Sequence, residues 1–154
     1  MKPSRQALID AMAEAMAREE GFYVPRSIAE QNKNPGNLRT WGTMPISAGG
    51  YAKFPTVEAG WDALKQQIAY NVWGKGPRDP FPLRVSQPLT FKTFYAGQRD
   101  SDGHVLTGGY PGYSPAADKN NPDGYAKFVY SRVHAALKLP PEITVETPIR
   151  TICE

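Results

Sequence analysis

The chain has 154 residues, 40% hydrophobic and 21% charged, a balance that suits one globular domain and excludes a disordered one. Its formal net charge of +3 comes from 18 basic and 15 acidic residues without a long like-charge run. That is too small and dispersed to argue for nucleic acid, although it favours approach to an anionic surface. No apolar run approaches the ~18 residues of a membrane span.

In chain order, the first element is a helix over residues 4–20. Ser4 is its cap, and Leu8, Ile9, Met12 and Met16 form its apolar face. Gln6, Asp10, Glu14 and Arg18 form the wet face, and Gly21 stops the helix. Residues 31–54 are rich in turn formers, and Leu38–Trp41 and Tyr51–Phe54 read as short strands of a small β-ribbon or looped hairpin. A second helix is predicted over 57–73, capped by Thr56, with Val57, Trp61, Leu64, Ile68 and Val72 as its stripe and Gly74 at its end. Trp61 and Trp73 are assigned to the core.

Residues 75–88 carry four prolines and read as loop, followed by a short helix near Phe91–Tyr95. Residues 97–121 form a long loop of the kind that often carries function. The last helix has Asn121 as cap, Pro122 in its first turn, and Tyr125, Val129, Val133 and Leu137 as its stripe. Residues 139–154 are a C-terminal extension, read as a strand or a strap on the single domain. Cys153, the one cysteine, forms no internal disulfide and is expected to be exposed and incidental.

The chemistry concentrates at Glu19-Glu20-Gly21-Phe22-Tyr23. A carboxyl at the C-terminal end of an apolar helix feels the negative end of the macrodipole, and packing against aromatic neighbours desolvates it. Both effects favour a protonated acid near neutral pH, which a glycosidase needs to protonate a leaving oxygen. Periodicity leaves open which of the two Glu is the acid, since both fall on the apolar side. On spacing alone, a pair of solvated residues at a fraying helix end is the stronger reading. His104 and His134 stand too far apart in sequence to argue for a metal site.

Three blocks resemble the lysozyme-like superfamily, in particular small phage and bacterial muramidases and lytic transglycosylases. The first is Glu20-Gly21-Phe22. The second is Asn34-Pro35-Gly36-Asn37-Leu38-Arg39, followed by Tyr51-Ala52-Lys53-Phe54-Pro55-Thr56 and Glu58-Ala59-Gly60-Trp61. The third runs from Tyr113-Ser114-Pro115 through Asn121-Pro122 to Tyr125.

The resemblance implies a mainly helical α+β lysozyme-like domain with a small β-segment beside the catalytic helix. It gives the acid role to Glu20. It also implies a substrate, the peptidoglycan glycan strand, cut between N-acetylmuramic acid and N-acetylglucosamine without a cofactor by a monomer. Asn34 and Asn37 are candidates for binding an N-acetyl group or orienting Glu20, with turn-making as their other role. Arg39 is a candidate for a lactyl or peptide carboxylate or for a surface ion pair, Trp41 and Tyr51 for sugar stacking, and Tyr125 for holding Glu20 and the sugar or for the first core position of the last helix. Ala69-Tyr70-Asn71 resembles a transglycosylase motif but falls too early in the chain and is set aside as chance.

No second catalytic carboxylate stands in a recognisable motif. Asp100, Asp102 and Asp118 in the long loop are the candidates. This favours a lytic transglycosylase, which uses one Glu as acid and then base, over a hydrolytic muramidase. A non-catalytic glycan-binding or phage structural module is the rival from another class. The N-terminus shows no secretory h-region. The expectation is a protein made in the cytoplasm that reaches the cell wall or periplasm by another route, as a virion component or by dedicated export.

Overall fold

The computed structural model describes residues 1–74, 79–116 and 120–153. Helix α1 spans Arg5–Glu19, and the Ser4 hydroxyl accepts from the Ala7 N–H at its start. Its end is a Schellman turn. The Phe22 N–H returns to the Ala17 carbonyl, the Gly21 N–H returns to Arg18, and Gly21 takes the left-handed conformation at φ 78°. Helix α2 (Ile28–Gln31) is a single turn capped by Ser27, which the sequence patterning does not announce. Helix α3 spans Val57–Trp73, as predicted, with Thr56 as its cap.

The proline-rich stretch after α3 is not all loop, because Leu83–Ser86 form the short helix α4. Helix α5 (Phe91–Ala96) opens on a Thr90–Thr93 capping box, and α6 (Pro122–Leu137) has Asn121 as its cap. α1 packs on both α3 and α6, and α5 packs on α6. The core gathers Leu8, Met12 and Met16 of α1, Leu64, Ile68 and Val72 of α3, Phe91, Phe94 and Tyr95 of α5, and Val129 and Val133 of α6. Fully burying one such aliphatic side chain stabilises the fold by about 1.5–3 kcal/mol before its lost entropy is counted. Trp61 and Trp73 lie partly buried against this core, as assigned.

Two expectations need correction. The regular β-ribbon expected over 38–54 does not form: among the described residues this region holds one isolated bridge, Ile46 to Ala52, in a looped hairpin where the Ser47 N–H donates to the Tyr51 carbonyl and the Lys53 N–H to that of Pro45. One backbone bond still joins the two predicted strands, from the Ala52 N–H to the Leu38 carbonyl at 2.9 Å, and the Asn34 side chain ties the same residues together. Asn34 donates to the carbonyls of Leu38 and Ala52, each at 2.9 Å, and accepts from the Leu38 N–H at 2.9 Å. The protein is therefore mainly helical, with irregular structure where the ribbon was expected. Cys153 is also buried rather than exposed, because the tail is a strap drawn onto the core. Pro148 bridges to Thr90, and Ile149 and Ile152 are buried. No described helix is long and apolar enough to cross a membrane.

A second, smaller cluster of Leu38, Ala52, Phe54 and Ala63 lies between the 34–54 segment and α3. Gly60 makes this approach possible. A Cβ there would lie 2.0 Å from the Lys33 carbonyl oxygen and 2.9 Å from the Pro35 ring.

Candidate active site

The Schellman turn makes Glu20 the C-cap of α1, with helical backbone angles, at the point where the chain leaves the helix. Its side chain enters a cleft of about 340 Å³. One wall comes from Gly36 to Thr40 and Tyr51, and the other from Tyr110, Gly112 to Pro115, and Asn120, with Gln67 of α3 between them. The Tyr125 hydroxyl donates to Glu20 Oε2 at 2.7 Å, and the Asn37 amide donates to Oε1 at 3.2 Å. The three sequence blocks that carry the resemblance thus converge on one carboxyl group.

Burial is the largest influence on Glu20 and raises its pKa above the ordinary carboxylate value. The Tyr125 and Asn37 hydrogen bonds pull the other way, and the neighbouring Glu19 charge adds a small upward push. Tyr125 is itself held well above the usual tyrosine range, first by burial and then by the Glu20 charge, so its phenol remains a donor. Its ring is fixed by stacking on Tyr95, with centroids 4.3 Å apart.

A raised folded-state pKa has a consequence for stability. The folded protein binds this proton more tightly than the unfolded chain does. The stabilisation from Glu20 is therefore fully present below the unfolded pKa and is lost as pH rises through the folded one. Glu20→Gln is expected to raise Tm at neutral pH, and thermal melts should show the gain vanish below pH ~4. An equal gain at both pH values would mean that the carboxylate charge is not the cause.

The other predicted residues divide. Asn37 and Tyr125 contact Glu20. Arg39 and Tyr51 line the cleft together, with the guanidinium 4.9 Å from the Tyr51 ring centre. Asn34 has no exposed surface and its amide is committed to backbone groups, so its role is to hold the turn rather than to bind a ligand. Trp41 is partly buried against the second hydrophobic cluster and does not line the cleft.

Sequence reasoning missed Gln67, Tyr110 and Asn120 as lining residues and gave Tyr113 no role of its own. Gln67 donates to Asn71 at 2.8 Å, and Asn71 donates to the Tyr110 hydroxyl at 2.8 Å. The only local signal for this polar chain is two amides set beside the apolar stripe of α3.

Among the described residues Glu20 is the only carboxylate lining the cleft. Asp100 lines a separate recess between α5 and the loop that follows it. Asp102 is exposed. Asp118 lies outside the described residues. His104 is less isolated than its sequence spacing implied, since Asp100 and Asp102 lie within 4.8 Å of it. All three are exposed, and Asp100 Oδ1 accepts the N–H groups of Asp102 and His104, so a tight turn accounts for the grouping.

Comparison with protein-family models, curated proteins and solved structures found no match.

Proposed function

We propose that this protein is a lysozyme-like glycosidase that cleaves peptidoglycan glycan strands, acting as a lytic transglycosylase with Glu20 as its single acid and base. The observation that carries the reading is one carboxyl with a raised pKa, held by Tyr125 and Asn37 in a polar cleft and accompanied by no second described carboxylate. A hydrolase normally needs two carboxylates, about 5–5.5 Å apart in retaining enzymes and roughly 6.5–9.5 Å apart in inverting ones.

In the proposed reaction Glu20 donates its proton to the glycosidic oxygen linking N-acetylmuramic acid to N-acetylglucosamine. The bond from the muramic anomeric carbon to that oxygen breaks, and the oxygen leaves as a hydroxyl. The muramic acid's own 6-hydroxyl attacks the anomeric carbon, and its proton passes to the Glu20 carboxylate. The product carries a 1,6-anhydro ring, no water is consumed, and the enzyme regains its starting state. The nucleophile is already tethered to the substrate, so its effective concentration is high without a second carboxylate to activate water. Burial favours the protonated form of Glu20 that the first transfer needs. Tyr125 and Asn37 stabilise the carboxylate formed between the two transfers. Such an enzyme acts at the cell wall or in the periplasm.

Mass spectrometry of digested murein tests this reading. Anhydromuramic ends are expected, and Asp100→Asn, Asp102→Asn and Asp118→Asn should each keep most of the activity. Reducing ends, with loss of activity by orders of magnitude in one of these variants, would replace it with hydrolysis by a muramidase. No products at all would leave a glycan-binding module.

A further inference from the structure

Asn37 reaches Glu20 from a turn that needs holding. It adopts a left-handed conformation at φ 47°, which asparagine tolerates better than most residues. The peptide group ahead of it is pinned at both ends. Its N–H donates to the Asn34 carbonyl at 3.0 Å, and its carbonyl, that of Gly36, accepts the Tyr113 hydroxyl. The first tie lies within the turn. The second comes from the opposite wall of the cleft.

Tyr113 is itself firmly seated. Its N–H donates to the Phe94 carbonyl at 2.9 Å, the next N–H donates to Tyr95 at 3.0 Å, and its ring stacks on Phe94. Its ring packs against both hydrophobic clusters, so it joins the helical core to the segment carrying Asn37. Gly36 leaves room for this contact, since a Cβ there would lie 2.8 Å from the Tyr113 hydroxyl oxygen.

We propose that Tyr113 is a positioning residue: by holding the Gly36 carbonyl from across the cleft, it sets the Asn37 amide against the Glu20 carboxyl. The inference rests on the proposed role of Glu20, but its mark on Glu20 is measurable without any substrate. Among the described residues the groups facing Glu20 are Glu19 beside it, Asn37, Tyr113 from the loop, Tyr95 from α5 and Tyr125 from α6. Of these only Asn37 hangs on the Tyr113 bond.

The test is Tyr113→Phe, which keeps the ring and both backbone bonds and removes the hydroxyl. The Glu20 titration is followed by NMR of 13C-labelled carboxyl groups. Asn37 stabilises the ionised form, so its release should raise the Glu20 pKa. Asn37→Ala should raise it similarly, and the double variant should go no further. In murein cleavage, kcat of Tyr113→Phe should fall on the order of tenfold with KM little changed. Gly36→Ala attacks the same bond from its other end. Because its Cβ would also meet the Leu64 side chain at 2.6 Å, it is compared in a Leu64→Val background, and read in the same way, if Tyr113→Phe does not fold. An unchanged Glu20 titration in folded Tyr113→Phe, whatever its Tm, would overturn the proposal and leave Tyr113 a structural tie. Inactivity of the unmodified protein would count against the glycosidase reading alone.

Discussion

Replacing Glu20 by Gln is expected to lower murein cleavage by about 10²–10⁴-fold, the range typical of general acid–base catalysis, with Glu19→Gln keeping most of the activity. The two neighbours are chemically identical and differ only in surroundings. Glu19 ends α1 exposed and accepts no hydrogen bond in the cleft, although partial burial raises its pKa. Glu20 is turned into the cleft by the Schellman geometry and held on both oxygens. Gln preserves the shape of the side chain. Its new N–H group faces Asn37, whose Oδ1 accepts no other hydrogen bond and can turn to receive it. Folding is therefore retained while the transferable proton is lost.

The unmodified protein should also lose kcat/KM on the alkaline side as Glu20 ionises, because the first step requires the protonated acid. The upward shift extends the active range above that of an ordinary carboxyl. Initial rates of murein solubilisation across pH measure both effects. A reversal of the two variants would move the acid to Glu19 and remove the meaning assigned to the Tyr125 and Asn37 contacts.

Gly60→Ala is expected to destabilise the protein by about 3 kcal/mol or more, against the direction of helix propensity. In an isolated helix the same change would stabilise by about 1 kcal/mol. Here a Cβ would fall 2.0 Å from the Lys33 carbonyl oxygen and 3.1 Å from its carbon. Those are backbone atoms of the turn that leads into Asn34 and Asn37. They cannot rotate away as a flexible side chain would, so α3 must retreat and open the second cluster beside the cleft. Urea unfolding gives the sign directly. A neutral or stabilising result would mean that α3 and this turn do not meet as described, and the position of Asn37 would lose its support.

The long helices α1, α3 and α6 were legible in the sequence because their causes are local, whereas the single turns α2 and α4 were not. Ser4, Thr56 and Asn121 each cap with a side chain that bonds a backbone N–H three residues on. Gly21 and Gly74 end α1 and α3 in positive-φ conformations that other residues rarely adopt. The apolar stripes then selected the faces that pack, and the Glu20-Gly21 pair marked where a carboxyl would leave a helix.

Only the tertiary structure decided what surrounds that carboxyl. The segment 38–54 has strand-like composition, yet its ladder does not form. The Ala52 N–H makes a single backbone bond to the Leu38 carbonyl, and the buried Asn34 amide ties both residues together, a contact that leaves no periodic trace. The choice of Glu20 over Glu19 depends on Tyr125, 105 positions away, and on Asn37. Trp41 and Tyr51 looked alike as stacking candidates, but Trp41 lies partly buried against the second cluster and Tyr51 lines the cleft. Tyr113 and Gln67 carry no local mark of their positions. Caps and stripes act within a turn or two of helix and can be read from neighbouring residues. A cleft is made by side chains that meet only after the helices have packed, when burial and long-range hydrogen bonds give the same residue type different chemistry.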